Sequence, residues 1–128
     1  MGTLILDASL VIGLLDRAHA HHDRAVDDVE AADHTNDRIL IPASAYSEAL
    51  VAFARANRLE DARDAIAAMG ITIAPLTATM AEAAAELRAR HHSLRPPDAI
   101  VLACAHDLHA KLLSYDKRLA DIADKPTS

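Results

Sequence analysis

The stretch TLILD, residues Thr3–Asp7, is a short aliphatic run that ends in an acid. A run of this length and composition is typical of a parallel strand that is buried on both faces. Three later runs have the same character, although the third strand is the weakest: Arg38–Ile41, Ile71–Ala74 and Lys111–Ser114. Strands that are separated by helical segments favour an α/β domain with a central, mostly parallel sheet.

The segments between the strands carry helical spacing and helix-boundary residues. Asn57 and Gly70 end helices, and Pro97 suits the first turn of the helix that it opens. The predicted helices are Leu10–Leu15, Ala20–Ala32, Pro42–Ala56, Leu59–Met69, Thr77–His91, Pro97–His109 and Lys117–Ala123. No linker, repeat or low-complexity segment interrupts the pattern, so we predict a single domain over residues 1–128.

Composition limits the class of protein more than it defines a function. The 128 residues are 52% hydrophobic and 2% aromatic, and the net charge is -6. No apolar run approaches the roughly 20 residues that a membrane helix requires. The single cysteine, Cys104, allows no internal disulfide and fits a reducing environment. We therefore expect a cytoplasmic protein with no membrane association, and the net charge alone predicts no partner.

Four carboxylates occupy places where a core has no use for an uncompensated charge. Asp7 ends the first strand, and Asp116 lies just past the fourth. Glu48 shares helical spacing with Ala45, Val51 and Ala52, which predicts that it lies on an inward face. Asp98 opens its helix on the same stripe as Val101, Leu102 and Ala105. Since ligands of parallel α/β sheets bind beyond the carboxyl ends of strands, we predict one shared acidic pocket.

Such a pocket requires a cation. Two carboxylates at ~4 Å repel each other by about 4 kcal/mol at an effective dielectric constant near 20. A hard divalent ion with oxygen ligands, Mg²⁺ or Mn²⁺, removes this repulsion and leaves coordination positions for water and a phosphate oxygen. We assign Asp7, Asp98 and Asp116 as its ligands, which predicts metal-assisted phosphate chemistry.

Each acid also has an ordinary structural explanation when it is taken singly. Asp98 fits a helix-start acid that interacts with the helix dipole, and Asp116 fits a cap of the last helix. Asp7 is equally open to both explanations, whereas Glu48 in mid-helix favours a functional role. Together the four acids are better explained by one site.

The pattern resembles the PIN domain, and within it the VapC-type toxins of bacterial toxin–antitoxin pairs. Four motifs, one for each acid, carry the resemblance in chain order: LILDASLVIGLLD (Leu4–Asp16), IPASAYSEAL (Ile41–Leu50), RPPDAIVLACA (Arg95–Ala105) and LLSYDKRL (Leu112–Leu119). The resemblance covers nearly the whole chain. It implies a three-layer α/β/α fold with a sheet of four or five strands. The ending DIADKPTS, residues Asp121–Ser128, lacks the apolar strand that many relatives add.

The resemblance further implies a Mg²⁺-dependent endoribonuclease that cleaves structured RNA, either tRNA or ribosomal RNA, and so stops translation. It implies a homodimer that a VapB-type antitoxin inhibits by occupying the acidic pocket. The catalytic residues would be Asp7, Glu48, Asp98 and Asp116. Ser9 and Ser114 match positions at which the family places hydroxyls near the metal, although Ser9 equally fits a helix cap.

Basic residues beside the pocket are candidates for contacts with an RNA backbone. Arg95 is held next to two prolines, and Lys117 and Arg118 adjoin Asp116. Contacts of this kind position RNA without reading its sequence. The histidines His19, His21 and His22 lack the matching ligand spacing of a metal site and favour a solvated loop.

Two other functions fit the size and the fold class. A phosphoacceptor receiver domain should show paired acids after its first strand, but Asp7 has no acidic neighbour. A non-catalytic PIN-like interaction module would tolerate loss of the acids, yet all four are present. The nuclease therefore remains the favoured prediction.

Overall fold

A computed structural model describes residues 2–124 of the chain. In this part of the chain, four strands form one sheet and seven helices surround it. The strands are β1 (Thr3–Leu6), β2 (Arg38–Pro42), β3 (Thr72–Ala74) and β4 (Lys111–Leu113). The helices are α1 (Ala8–Leu15), α2 (His22–His34), α3 (Ala43–Arg55), α4 (Leu59–Ala68), α5 (Ala78–Arg90), α6 (Pro96–Asp107) and α7 (Lys117–Ala123). This parallel, helix-covered sheet confirms the predicted PIN-like α/β/α fold.

The strand order, β3-β2-β1-β4, places the first strand inside the sheet. β1 pairs in parallel with β2 on one side and with β4 on the other, with Ile5 opposite both Leu40 and Leu112. The chain thus leaves β1 for one side and returns to its other side through β4. The carboxyl ends of β1 and β4 consequently flank the point where the strand order reverses, which is where parallel α/β sheets bind ligands.

Apolar burial follows from the sequence pattern of the central strands. Ile5, Leu6 and Ile41 are fully buried between the helical layers, which agrees with their aliphatic runs. A second buried cluster, which includes Leu94, Leu102 and Leu119, joins α5, α6 and α7. Because α6 belongs to both clusters, the start of α6 is fixed relative to the sheet.

The helix boundaries lie within two residues of their predicted positions. Asn57 and Gly70 end helices with positive φ angles of 59° and 72°, as their sequence positions suggest. Thr77 caps α5 by accepting a hydrogen bond from the Met80 amide at 3.2 Å. The cap proposed for Ser9 is wrong, because α1 begins two residues earlier than expected and Asp7 caps it.

The environment predicted for Glu48 also needs correction. The buried face of α3 contains Ala45, Ala49 and Leu50. Val51 and Ala52 are exposed, so of the three apolar residues predicted to face inward with Glu48 only Ala45 does so. Glu48 lies at the edge between the two faces.

Two further expectations concern the membrane and the chain end. No helix in residues 2–124 combines the length and apolar character needed to cross a bilayer. The sheet of the described chain has four strands, and α7 includes the start of the terminal segment at Asp121. Residues 125–128, on which a fifth strand partly depends, lie outside the described residues.

Candidate active site

Asp7 is a buried carboxylate held by three hydrogen-bond donors. Its side chain follows β1 and caps α1, and the residue is 5% exposed. Oδ1 accepts hydrogen bonds from the Ser9 hydroxyl at 2.8 Å and the Leu10 amide at 3.0 Å, and Oδ2 accepts one from the Ser114 hydroxyl. Hydrogen bonds of this kind offset the loss of hydration on burial. The structure therefore fixes the Asp7 side chain at the carboxyl end of a central strand.

Ser114 connects Asp7 to Asp116. While its hydroxyl donates to Asp7, its oxygen accepts a hydrogen bond from the Asp116 amide at 3.0 Å. Asp116 in turn caps α7, with Oδ1 accepting from the amides of Arg118 at 3.0 Å and Leu119 at 3.2 Å. The capping explanation for Asp116 is thus correct. Both capping hydrogen bonds use Oδ1 of Asp116, and the residue is exposed to solvent.

Glu48 and Asp98 share a single guanidinium group. Arg95 donates from Nε to Asp98 Oδ2 at 3.2 Å and from one terminal nitrogen to Asp98 Oδ1 at 3.3 Å. The same terminal nitrogen contacts Glu48 Oε1 at 3.5 Å. The pKa of Arg95 is raised above its ordinary value, chiefly by its hydrogen bonds to Asp98 and also by the charges of Asp98 and Glu48. Arg95 therefore offsets the negative charge of these two acids.

Chain topology brings both pairs to the same edge of the sheet. α3 begins directly after the carboxyl end of β2, and Glu48 lies in its second turn. α6 leads into β4, so its first turn, with Asp98, also lies at the carboxyl edge, as in other βαβ connections. α6 contacts both α3 and β1. Four carboxylates from distant segments of the chain thus line one end of the sheet.

The donor atoms at this edge are of the chemical type that a hard divalent cation prefers. All the polar side chains of the site except Arg95 offer oxygen atoms, which Mg²⁺ and Mn²⁺ prefer. Within residues 2–124, however, no three acid, histidine or cysteine side chains are gathered closely enough to hold an ion. The carboxylates of Glu48 and Asp98 are turned toward Arg95 instead. The ligand set Asp7, Asp98 and Asp116 therefore stays a prediction.

Comparison with protein families matches residues 4–125 to the PIN domain. The chain belongs to the PIN domain family. The family that the sequence motifs suggested is therefore confirmed. This membership disfavours the receiver-domain alternative. Nucleases with PIN domains generally use divalent metal ions, which agrees with the oxygen-rich donor set.

Solved structures with the same PIN fold include toxins and toxin–antitoxin complexes. VapC20 of Mycobacterium tuberculosis, described as a sarcin-ricin loop cleaving toxin, has 16% identity and a TM-score of 0.75, with 93% of this chain and 94% of that chain covered. A Klebsiella pneumoniae toxin–antitoxin complex has 23% identity and a TM-score of 0.76, with 96% and 92% covered. VapBC2 of Rickettsia felis, bound to a promoter DNA fragment, has 15% identity and a TM-score of 0.75, with 94% and 92% covered. At these identities the likeness establishes the fold alone. No curated protein matches the chain.

Two arginines of this PIN domain, Arg88 and Arg118, contact the loop before α6. Arg118 donates to the hydroxyl and the carbonyl oxygen of Ser93, both at 3.1 Å. Arg88 donates to the Leu94 carbonyl at 3.2 Å, so both arginines brace the turn that precedes α6. Lys117 is exposed beside Asp116. RNA contacts by Arg95, Lys117 and Arg118 stay a prediction.

The sequence analysis did not identify Tyr115 as part of the site. Its hydroxyl donates to Asp28 of α2 at 3.1 Å, and its ring lies 4.9 Å from the His21 ring and 4.7 Å from the Arg24 guanidinium carbon. Partial burial, and then the Asp28 hydrogen bond, raise the pKa of Tyr115 to about 12. These contacts attach the loop with Ser114 and Asp116 to α2. The sequence offered one indication of a role for Tyr115 at the site, its position between Ser114 and Asp116.

A groove of about 830 Å³ extends from Glu48 along α1 and α3. Ile12, Leu15 and Phe53 contribute apolar walls, and exposed Val51 lies at its edge. Glu48 thus lies between the acidic edge of the sheet and a groove that both apolar and charged side chains line. This position explains why Glu48 is half-exposed, although the sequence predicted an inward environment.

Proposed function

We propose that this PIN domain is a Mg²⁺-dependent endoribonuclease that acts as the toxin of a toxin–antitoxin pair. The observation that carries the proposal is the buried Asp7 carboxylate, which two hydroxyls and an amide hold at the carboxyl end of β1. Capping of α1 requires only Oδ1 of Asp7, whereas Ser114 holds Oδ2 from a distant segment of the chain, which supports a carboxylate that also serves a ligand. Membership of the PIN family and the three other acids at the same edge support a metal-dependent nuclease.

The chain's own residues have distinct parts in this reaction. Asp7, Asp98 and Asp116 would hold the divalent ion, with Ser9 and Ser114 orienting the Asp7 carboxylate through their hydrogen bonds. The chemistry supplied by a bound divalent ion is charge neutralisation at the scissile phosphate and activation of water. Glu48, which is half-exposed at the rim, accepts a proton from the attacking water. The water oxygen would form a new bond to phosphorus while the bond from phosphorus to the leaving oxygen breaks; the leaving oxygen takes a proton from solvent, and Glu48 returns its own proton to solvent.

Structured RNA, either tRNA or ribosomal RNA, is the proposed substrate. The described sarcin-ricin loop cleaving activity of VapC20 supports this class, because that protein shares the fold over most of both chains. Arg95, Lys117 and Arg118 are exposed residues close in sequence to Asp98 or Asp116, and they would contact the phosphate backbone. Since phosphate contacts carry no sequence information, selection among RNAs would depend on the shape of the substrate.

An antitoxin of the VapB type is the proposed inhibitor, and a homodimer is the proposed form of the toxin. Two of the structural relatives are toxin–antitoxin assemblies, which supports a protein partner. A partner that covers the acidic edge would exclude RNA from it. We propose that RNA cleavage and its inhibition by the antitoxin take place in the cytoplasm, where the RNA substrates occur.

Cleavage of purified tRNA and ribosomal RNA tests the nuclease against the non-catalytic alternative. With Mg²⁺, Asp7→Asn and Asp98→Asn should each lower the cleavage rate at least about 100-fold, and EDTA should abolish it. Asp61→Asn is the matched control for Asp98→Asn. Asp61 also lies in the first turn of a helix, three residues after an arginine with which it pairs at 3.3 Å. Cleavage that persists in both site variants would overturn the assignment.

A further inference from the structure

Arg95 lies between Asp98, a proposed metal ligand, and Glu48, the proposed proton acceptor. Its guanidinium gathers three oxygen atoms, two from Asp98 and one from Glu48, at 3.2–3.5 Å. Those acids come from helices that are far apart in the sequence, so this cation joins α3 to the start of α6. The planar fork of arginine suits such multiple contacts better than the point charge of a lysine.

Backbone geometry explains why Arg95 reaches back to the acids. It is the residue before α6, in an extended conformation with φ -72° and ψ 152°, and Pro96 and Pro97 follow it. Prolines hold the preceding residue in this region and fix the first turn of the helix. The Arg95 carbonyl accepts the Ala99 amide at 3.0 Å, which fixes the same turn. The arginine thus starts from a rigid position three residues before Asp98.

The side chain itself remains able to move away. It is 63% exposed, whereas the Asp98 side chain that it covers is 15% exposed. Ion pairs with an exposed partner are weak, because water competes for both groups. A divalent ion at Asp98 carries twice the charge of the guanidinium in a smaller volume, and it can therefore displace Arg95 from this acid.

We propose that Arg95 is an exchangeable internal cation, which occupies Glu48 and Asp98 until a divalent ion displaces it and so sets the metal affinity of the site. This inference rests on the proposed metal-dependent function. When a binding-competent state is only partly populated, the apparent dissociation constant rises by the inverse of that population. Removal of the guanidinium should therefore tighten metal binding, although it removes no ligand. A structural brace would give the opposite result.

Mn²⁺ binding to the full chain without RNA tests the proposal, measured by electron paramagnetic resonance of the free ion. Arg95→Ala should bind Mn²⁺ about tenfold more tightly than wild type if the guanidinium occupies the acids about 90% of the time. The Mn²⁺ affinity of Arg95→Lys should lie between those of wild type and Arg95→Ala. Asp98→Asn should lose this binding, which assigns the measured ion to the site.

Arg58→Ala is the matched control, because Arg58 also precedes a helix and pairs with an acid three residues on, at 3.3 Å from Asp61. Its Mn²⁺ affinity should equal that of wild type. If Arg95→Ala has the wild-type circular dichroism spectrum but binds Mn²⁺ no more tightly than wild type, the proposed exchange is wrong. The proposed metal-dependent function is not affected by that result. If Arg95→Ala does not fold, Arg95→Lys decides by the same criterion. No binding by any variant would overturn the metal-dependent function and this inference with it.

Discussion

The Ser114 hydroxyl donates a hydrogen bond to Oδ2 of Asp7, across 107 residues of sequence. This bond connects the loop after β4 to the end of β1, the two strands that flank the reversal of strand order. The Ser114 oxygen also accepts a hydrogen bond from the Asp116 amide, so one hydroxyl fixes two of the proposed metal ligands. The geometry of the site therefore depends on a residue that would not itself bind the ion.

Ser114→Ala should lower both stability and cleavage. Loss of a hydrogen bond to a buried charged group costs about 1.5–3 kcal/mol of unfolding free energy, which urea denaturation measures. Cleavage should fall about 10- to 100-fold, as for other residues that orient metal ligands.

Ser44→Ala provides the control for this prediction. Among the described residues, the buried Ser44 hydroxyl oxygen has no hydrogen-bond partner. Its removal should leave the unfolding free energy unchanged or slightly higher. A similar loss of stability in both serine variants would show that the Ser114 contact has no special weight.

Asp98→Asn should alter stability only when metal is present. In EDTA the change should stay within about 1 kcal/mol, because Arg95, which is largely exposed, already offsets the Asp98 charge. With Mg²⁺ at 100 times its dissociation constant, wild type should gain about 2.7 kcal/mol, and the variant should gain almost none. Thermal or urea unfolding with and without Mg²⁺ measures both effects. A large loss in EDTA would indicate that Asp98 serves the fold rather than the ion.

Tyr115 should give the protein a stability change at high pH. Its pKa is raised from the ordinary value of 10.0 to about 12, since burial and the Asp28 hydrogen bond favour the neutral phenol. The stabilisation is complete below pH 10 and is lost as the pH rises from about 10 to about 12. A rise of the pKa from 10.0 to about 12 corresponds to about 2.7 kcal/mol, and solvent screening reduces this because Tyr115 is only partly buried. The unfolding free energy should therefore fall by about 1 kcal/mol more in wild type than in Tyr115→Phe over this interval.

The matched control for Tyr115 is Tyr46→Phe, which removes a hydroxyl from α3 without touching the loop after β4. It should retain the wild-type pH dependence. If Tyr115→Phe follows wild type across the whole interval, the contact with Asp28 has no energetic role.

Cys104 should react slowly with thiol reagents in the folded protein. The residue is fully buried in α6, and burial raises the pKa of its thiol to about 11. Because the thiolate is the reactive form, labelling by a disulfide reagent at pH 8 should be much slower than in denaturant. Fast labelling under native conditions would indicate that α6 opens locally.

Local sequence signals were sufficient for the elements and for the edge of the sheet where the acids lie. Lys117–Ala123 was predicted with the observed bounds, and the ends of β1 and β4 follow from their aliphatic runs. The environment of Glu48 was predicted less well. Helical spacing identified an apolar stripe on α3, but it did not predict that Val51 faces outward. That distinction depends on which side of α3 packs on the sheet.

Contacts over long sequence separations lay beyond the sequence analysis. The Tyr115–Asp28 hydrogen bond joins residues 87 positions apart, and nothing in either segment predicts it. The position of Arg95 beside the pocket led to the prediction of an RNA contact, but no local pattern predicted that its guanidinium contacts Asp98 and Glu48. Side-chain partners of this kind are set by tertiary packing rather than by local pattern.

Anomalous scattering from a crystal grown or soaked with Mn²⁺ tests most directly whether the distant acids share one ion. A manganese peak within about 2.5 Å of carboxylate oxygens of Asp7, Asp98 and Asp116 is the expected result, with the Arg95 guanidinium moved away from Asp98. A structure at saturating Mn²⁺ with no peak among these acids, and Arg95 still paired with them, would contradict the proposed metal-dependent nuclease.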